Sequence, residues 1–239
     1  MDDSRRRILR ICALAAAIAA CLVLGSFAFL RQEQVPLLAG VDLGFHELGH
    51  LLTMFWAPRI VTAAAGSTTQ VAVPLGLAAY FHFSRRDLVG TALMLAWAGT
   101  SMAGAATYIA DAPYQQLELL GGPGGHDWAF IFGPEGLNDL PASGPFSTAV
   151  WMTGAAVLVF AIGLCVYGIA REAVAWRRGG RELARLATLP RREPRNPVLT
   201  LEPVAGAETA IPAVAPSRQE AAIAALIAEE RSGGLSRPS

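Results

Sequence analysis

The chain has 239 residues, of which 53% are hydrophobic and only 16% are charged, and its mean hydropathy is +0.41. Soluble domains carry about 25% charged residues, so this composition predicts an integral membrane protein. Basic and acidic residues balance at 19 each, which gives no indication of a nucleic-acid partner. Cys12, Cys21 and Cys165 lie in apolar runs without a CxxC spacing, so neither disulfides nor thiolate metal sites are expected.

Five apolar segments approach the roughly 20 residues that a membrane helix needs. In chain order they are Ile8 to Leu30, Leu37 to Ala57, Thr69 to Phe83, Leu88 to Ala110 and Thr148 to Trp176. The predicted fold is all-α, a polytopic membrane helical bundle of four to five segments within residues 1–176. Residues 177–239, rich in Arg, Pro, Ala and Glu, are predicted to form a largely disordered cytoplasmic tail, with one short amphipathic stretch at 219–231.

Arginine placement predicts the topology of these segments. Arginines precede the first and fourth segments, at Arg5 to Arg7 and at Arg85 and Arg86, and a further cluster begins at Arg171 around the end of the fifth. The positive-inside rule places all three groups in the cytoplasm. Both termini are then cytoplasmic, the loop 111–147 faces outward, and the number of crossings is even. One of segments two and three is therefore expected to stop short of crossing or to re-enter.

The second segment carries a metal-binding pattern, GFHELGHLLTMFW, at Gly44 to Trp56. Its helix is predicted to begin with Asp42 as N-cap and to stop at Pro58, which gives about 22 Å of helix against a membrane core of about 30 Å. His46 and His50 are four residues apart and share one helix face. Glu47, beside the first histidine, is the predicted general base of a hydrolytic zinc site. The alternative is a histidine pair that is hydrogen-bonded inside the bundle without a metal.

A catalytic zinc needs a third protein ligand, and the loop GGPGGHDW, ending at Trp128, offers His126 and Asp127. Both residue types are ordinary zinc donors, so both remain candidates. Trp128 suits a membrane interface. Asp42 lies one turn before His46, where its carboxylate can accept the imidazole N–H instead of capping the helix. His82, beside Arg85 and Arg86, is interpreted as an interfacial residue rather than a ligand.

The polar stretch GSTTQ, from Gly66 to Gln70, leads into Val71 to Pro74. Two interpretations remain open for it. It can line a wet cavity or form a membrane-edge strand that pairs with an extended substrate, with Gln70 as a substrate-binding residue. It can equally be a plain interfacial loop between helices.

These motifs resemble those of a known family. The sequence GFHELGHLL resembles the zinc-binding helix of the site-2 protease class, the M50-type intramembrane metallopeptidases. The series FHELGH, GSTTQVAVP and DAPYQQLELLGGPGGHDW is similar to a bacterial M50-like membrane group, and the similarity covers about Leu37 to Phe132. It implies a zinc metallopeptidase of the bacterial inner membrane, acting on membrane-protein or peptide substrates, with His46 and His50 as ligands and Glu47 as general base. The L-D-G or N-P-D-G pattern that supplies the third ligand in better-known members is absent.

Two other functions fit the same residues. One is a metal-dependent membrane hydrolase of a different amide or ester. The other is a non-catalytic membrane protein that binds a metal or a partner; a structural zinc of this kind is closed by four protein ligands, which here would be His46, His50, His126 and Asp127. Iron, cobalt or manganese can fill a similar ligand set.

Overall fold

All regular structure is helical in residues 3–119 and 125–188, the part of the chain that the computed structural model describes. The α-helices are α1 (Asp3–Gly25), α2 (Leu38–Thr53), α3 (Arg59–Ala79), α4 (Leu88–Ala110), α5 (Asp127–Phe132) and α6 (Ser143–Thr188). The π-helical turns Ser26–Arg31 and Tyr80–Arg85 extend α1 and α3, and the 3-10 turn Leu140–Ala142 precedes α6. The all-α prediction is confirmed for these residues.

Four helical stretches are long and apolar enough to cross a membrane. They are Ser4–Arg31, Arg59–Arg85, Leu88–Ala110 and Leu140–Arg178. The metal-motif helix α2 has 16 residues, which is about 24 Å of helix and shorter than the apolar core of a bilayer. The five predicted segments therefore reduce to four candidate spans and one short helix.

The predicted start of the third segment at Thr69 is wrong. Helix α3 begins ten residues earlier, at Arg59, and continues through Pro74. The stretch from Gly66 to Gln70 is consequently helical, and is neither a strand nor a loop. Gly66, Ser67 and Gln70 are all buried, so the small and polar residues that suggested a loop instead form a close contact between helices.

The last segment is also longer than predicted. Helix α6 starts at Ser143 and continues beyond Trp176 to Thr188, so residues 177–188 are helical and do not begin a disordered tail. The predicted disorder of the remaining tail and the amphipathic stretch at 219–231 lie outside the described residues.

The two ends of the bundle are defined by contacts among α1, α4 and α6. At one end, Arg10 pairs with Glu172 at 3.5 Å, and Gly168 of α6 faces the side chains of Leu14 and Leu88. We call this the arginine end, because the arginine clusters of the sequence lie here. At the opposite end, which we call the loop end, the ring centroids of Phe29 and Trp151 are 5.3 Å apart.

Helix α2 enters and leaves the bundle at the loop end. Helix α1 runs from the arginine end to the loop end, whereas α3 starts at the loop end and returns to the arginine end, where α4 begins. The chain between Arg31 and Arg59 therefore makes an excursion that starts and finishes at one end. Helix α2 packs chiefly on α3, where Gly49 lies directly against the backbone of Ala65.

Two glycines let the backbones of α4 and α6 come together at the centre of the bundle. A Cβ atom on Gly99 would lie 2.7 Å from the carbonyl oxygen of Gly154, and a Cβ on Gly154 would lie 2.7 Å from that of Gly99. Because both obstacles are backbone atoms, neither can move aside without displacing a helix. Close approach of this kind is a usual way for membrane helices to associate.

We predict that Gly99→Ala lowers the free energy of unfolding by about 1–3 kcal/mol, the usual cost of overpacking. Gly104→Ala in the same helix is the matched control, because a Cβ there meets no atom within 4 Å. Unfolding of the detergent-purified protein by titration with a denaturing detergent measures both variants. Equal stability of the two variants would contradict the close helix contact.

Candidate metal centre

Three side chains converge between α2 and the start of α5. The Nε2 atoms of His46 and His50 lie 3.1 and 3.2 Å from Oδ2 of Asp127. These three ligand atoms all lie within 4.8 Å of one another. Ligand atoms on a tetrahedral zinc are about 3.3 Å apart, because zinc bonds to nitrogen and oxygen are about 2.0–2.1 Å long. The group can therefore hold a metal ion.

Hydrogen bonds to α3 determine which nitrogen of each imidazole carries a proton. Nδ1 of His50 lies 2.8 Å from the carbonyl oxygen of Thr62, which can only accept, so this nitrogen is the donor. Nδ1 of His46 lies 3.0 Å from Oε1 of Gln70. The Gln70 amide is oriented by its own NH₂ group, which donates to the carbonyl oxygen of Ser101 at 3.2 Å. Both histidines therefore donate through Nδ1, and both Nε2 atoms are free to bind a metal.

This arrangement favours a bound cation. When both imidazoles are neutral, the lone pairs of their Nε2 atoms point at one carboxylate oxygen, and this repulsion is relieved by a positive charge between them, either a proton on an imidazole or a metal ion. His46 is 8% exposed, so water screens this repulsion poorly. A divalent ion satisfies all three atoms at once, which is the usual chemistry of two imidazoles and one carboxylate.

Gly66 of α3 leaves the space that the two imidazoles occupy. A Cβ atom at this position would lie 2.5 Å from Nε2 of His46 and 2.6 Å from Nε2 of His50. The third nearby atom is Cδ2 of His46, at 2.6 Å, so the added carbon would collide with the edge of this ring. Any residue larger than glycine would thus push both imidazoles away from their present positions.

Two contacts hold Asp127 in position at the start of α5. The hydroxyl of Tyr108, on α4, accepts from the Asp127 backbone N–H at 2.9 Å and donates to its Oδ2 at 3.2 Å. The indole of Trp128 donates to Oγ of Ser67 at 3.0 Å. Trp128 is 8% exposed and packs on Phe132, so its side chain lies inside the protein. Helix α5 is thereby fixed to α3 and α4.

His126, the other ligand candidate from the loop, lies outside the metal group. Its Nδ1 accepts the backbone N–H of Ala129 at 3.2 Å and so caps α5. Its Nε2 lies 3.4 Å from Oδ2 of Asp111, although the two atoms are not aligned as a hydrogen bond. The ring of Tyr108 stacks on the His126 imidazole and stands edge-on to His46. Burial lowers the pKa of His126, with the Asp111 carboxylate acting in the opposite direction.

Asp42 neither caps α2 nor contacts His46. The helix begins earlier, at Leu38, and the Asp42 carboxylate accepts hydrogen bonds from Nε1 of Trp97 and Oγ of Ser101, each at 2.8 Å. Since the carbonyl of Ser101 in turn receives the Gln70 amide, Asp42 supports His46 only through α4. The hydrogen bond to the His46 imidazole that the sequence suggested for Asp42 is made by Gln70 instead.

Glu47 and His82 complete the residues singled out in the sequence. Glu47, next to His46 on α2, is exposed and makes no hydrogen bond to any residue that the structure describes. His82 is exposed beside Phe83 in the turn that ends α3, far along the helix from Thr62 and Gln70.

Sequence reasoning missed Tyr108, Thr62 and Ser101. Thr62 and Ser101 act through backbone carbonyl oxygens, which no residue pattern marks. Tyr108 comes three residues before Asp111 in the DAPYQQ stretch, and its role depends on the fold of the following loop. Gly66 was visible as the first residue of GSTTQ, but its proximity to the histidines requires α3 to pack against α2.

Comparison of the chain with protein-family models, with curated proteins and with solved structures finds no match. The geometry of the centre is thus the basis for any functional assignment.

We predict that Gly66→Ala weakens zinc binding by at least about 10-fold, because the added methyl collides with both imidazoles and displaces their Nε2 atoms. Gly76→Ala is the matched control in the same helix, since a Cβ there meets nothing within 4 Å. Zinc affinity is measured by competition with a fluorescent chelator, and the control should match the wild type. Zinc affinity of Gly66→Ala within about a factor of two of the wild type would contradict the close approach of α3 to the two ligand imidazoles, because even changes around the ligands usually cost 10- to 100-fold.

Proposed function

We propose that the chain is a zinc-dependent, membrane-embedded endopeptidase that hydrolyses peptide bonds in or near membrane segments of other proteins. The supporting observation is the combination of two Nε2 atoms and one carboxylate oxygen that face a common point, with an exposed glutamate adjacent to one ligand. This is the donor set of hydrolytic zinc sites, which keep three protein ligands. The membrane setting follows from the four helical stretches that can cross a bilayer.

The residues divide the chemistry among them. His46, His50 and Asp127 would hold the ion, which when bound lowers the pKa of a water to about 7 and polarises a carbonyl group. Gln70 and Thr62 fix the histidine rings through their Nδ1 protons. Glu47 accepts the proton of the attacking water and passes it to the leaving amine, as a general base and then a general acid. Tyr108 holds the Asp127 carboxylate toward the histidines.

The number of ligands supports catalysis over a purely structural metal. A structural zinc is closed by four protein ligands, whereas a catalytic one keeps one position open. Among the described residues the group contains His46, His50 and Asp127, and His126 is turned toward Asp111. One coordination position is thus left for water or substrate. Hydrolysis of another amide or ester would use the same centre and is separated from peptidase activity by the experiment below.

We predict that Glu47→Gln retains zinc but reduces turnover by at least about 10²-fold, because general acid–base groups contribute about 10²–10⁴-fold to rate. The assay incubates purified protein with detergent-solubilised host membranes and maps new peptide termini by mass spectrometry. Glu135→Gln is the control, since it removes an exposed carboxylate whose partner is Arg59.

Wild-type activity in this assay should produce new termini that Glu47→Gln lacks and Glu135→Gln keeps. Zinc-loaded wild type that produces no new termini would contradict the peptidase assignment. Hydrolysis of small esters or amides under the same conditions would then identify the other hydrolase class. Unchanged termini in Glu47→Gln would remove Glu47 from the reaction.

A further inference from the structure

The metal centre lies near the loop end of the bundle. Tyr108 is two residues before the end of α4, and Thr62 is three residues after the start of α3. At 1.5 Å per residue these residues are about 3 Å and about 5 Å from the ends of their helices, and Gly66 is about 10 Å from the start of α3. Helix α4 itself, with 23 residues, is about 35 Å long. The centre is therefore well inside one half of the bundle.

Arginines are concentrated at the opposite end. The arginine end carries Arg5, Arg6, Arg7 and Arg10 of α1, Arg85 and Arg86 after α3, and Arg171, Arg177 and Arg178 of α6. The loop end of the described helices carries Arg31 and Arg59, and Arg59 is paired with Glu135 at 2.9 Å. Positively charged ends of membrane helices stay in the cytoplasm. The contacts of Arg10 with Glu172 and of Gly168 with Leu14 and Leu88 show that these clusters share one end.

We propose that the metal centre opens to the outer, extracytoplasmic face of the membrane and that its substrates are cleaved in the outer half of the bilayer or just outside it. The statement about cleavage depends on the proposed peptidase function; the statement about the opening does not. The outward opening is inferred from two positions: the centre lies at the loop end, and the arginine clusters lie at the opposite end.

The turn between α2 and α3 is consistent with this depth. Met54, Phe55 and Trp56 are 55%, 80% and 74% exposed, which is typical of residues that enter the interfacial region of a bilayer. They come directly after His50 and the end of α2, so the interface lies close to the centre. Glu47 is exposed about two turns before Met54, and a carboxylate in the membrane must reach water. The nearest water is then on the loop side.

This position restricts the class of substrate. A re-entrant helix that starts and finishes at the outer side presents Glu47 to chains that approach from the outer interface. The scissile bond should therefore be within about 10 Å of the outer boundary, the depth of Gly66 along α3. Suitable substrates are proteins whose membrane segment has an accessible peptide bond near its outer end, and the released fragment leaves toward the outside.

Cysteine labelling tests the opening independently of any activity. The parent carries Cys12→Ala, because Cys12 is exposed whereas Cys21 and Cys165 are fully buried. Three single cysteines are then compared in intact spheroplasts with a membrane-impermeant thiol reagent: Glu118→Cys in the loop after α4, Ser84→Cys at the arginine end, and Glu47→Cys at the centre. EDTA is added so that a bound metal does not protect the thiol at position 47.

We expect Glu118→Cys and Glu47→Cys to be labelled in intact spheroplasts and Ser84→Cys to be labelled only after permeabilisation. Labelling of Ser84→Cys but not Glu118→Cys in intact spheroplasts would invert the orientation and overturn the proposal. Labelling of Glu47→Cys only after permeabilisation, or not at all, would overturn the outward opening even with the expected orientation. None of these results depends on peptidase activity, so failure here is distinct from failure of the proposed function.

Discussion

Two hydrogen bonds to α3 determine which way the histidines of α2 face. Nδ1 of His46 donates to the Gln70 side chain and Nδ1 of His50 to the Thr62 carbonyl, so both Nε2 lone pairs turn toward Asp127. Such bonds to the non-ligating nitrogen fix both tautomer and ring orientation at metal sites. The rest of the centre depends on them, because Asp127 can share a metal with the two imidazoles only if both Nε2 atoms point at the same place.

Close helix packing brings these partners together. Gly49 lets α2 approach the backbone of α3 at Ala65, and the neighbouring Gly66 lets both imidazoles approach α3 at the same level. Helix α5 then fixes Asp127 from the other side through Tyr108 and the Trp128–Ser67 hydrogen bond. The three candidate ligands thus come from the short helix α2 and the loop helix α5, while the long helices α3 and α4 supply the groups that orient them.

The sequence predicted those parts of the structure that depend on local pattern. The helical class, four candidate spans, the short motif helix and the shared face of His46 and His50 all follow from composition and spacing. What it could not predict depends on distant contacts. The polar stretch from Gly66 to Gln70 looked like a loop because its partners on α2 are absent from the local pattern. Asp127 could not be separated from His126, since the difference between these neighbours is set by Tyr108 and Asp111.

Metal content of the detergent-purified protein, determined by elemental analysis, is the most direct test of the centre. Wild type and His126→Ala should each contain about one zinc per chain, as a site with two histidines and one carboxylate predicts, and Asp127→Ala should have lost it. His126 and Asp127 are adjacent in sequence, so a comparison of the two variants distinguishes the loss of a metal ligand from a general disturbance of the loop. Wild type without metal, or metal lost with His126→Ala but kept in Asp127→Ala, would contradict the centre described here.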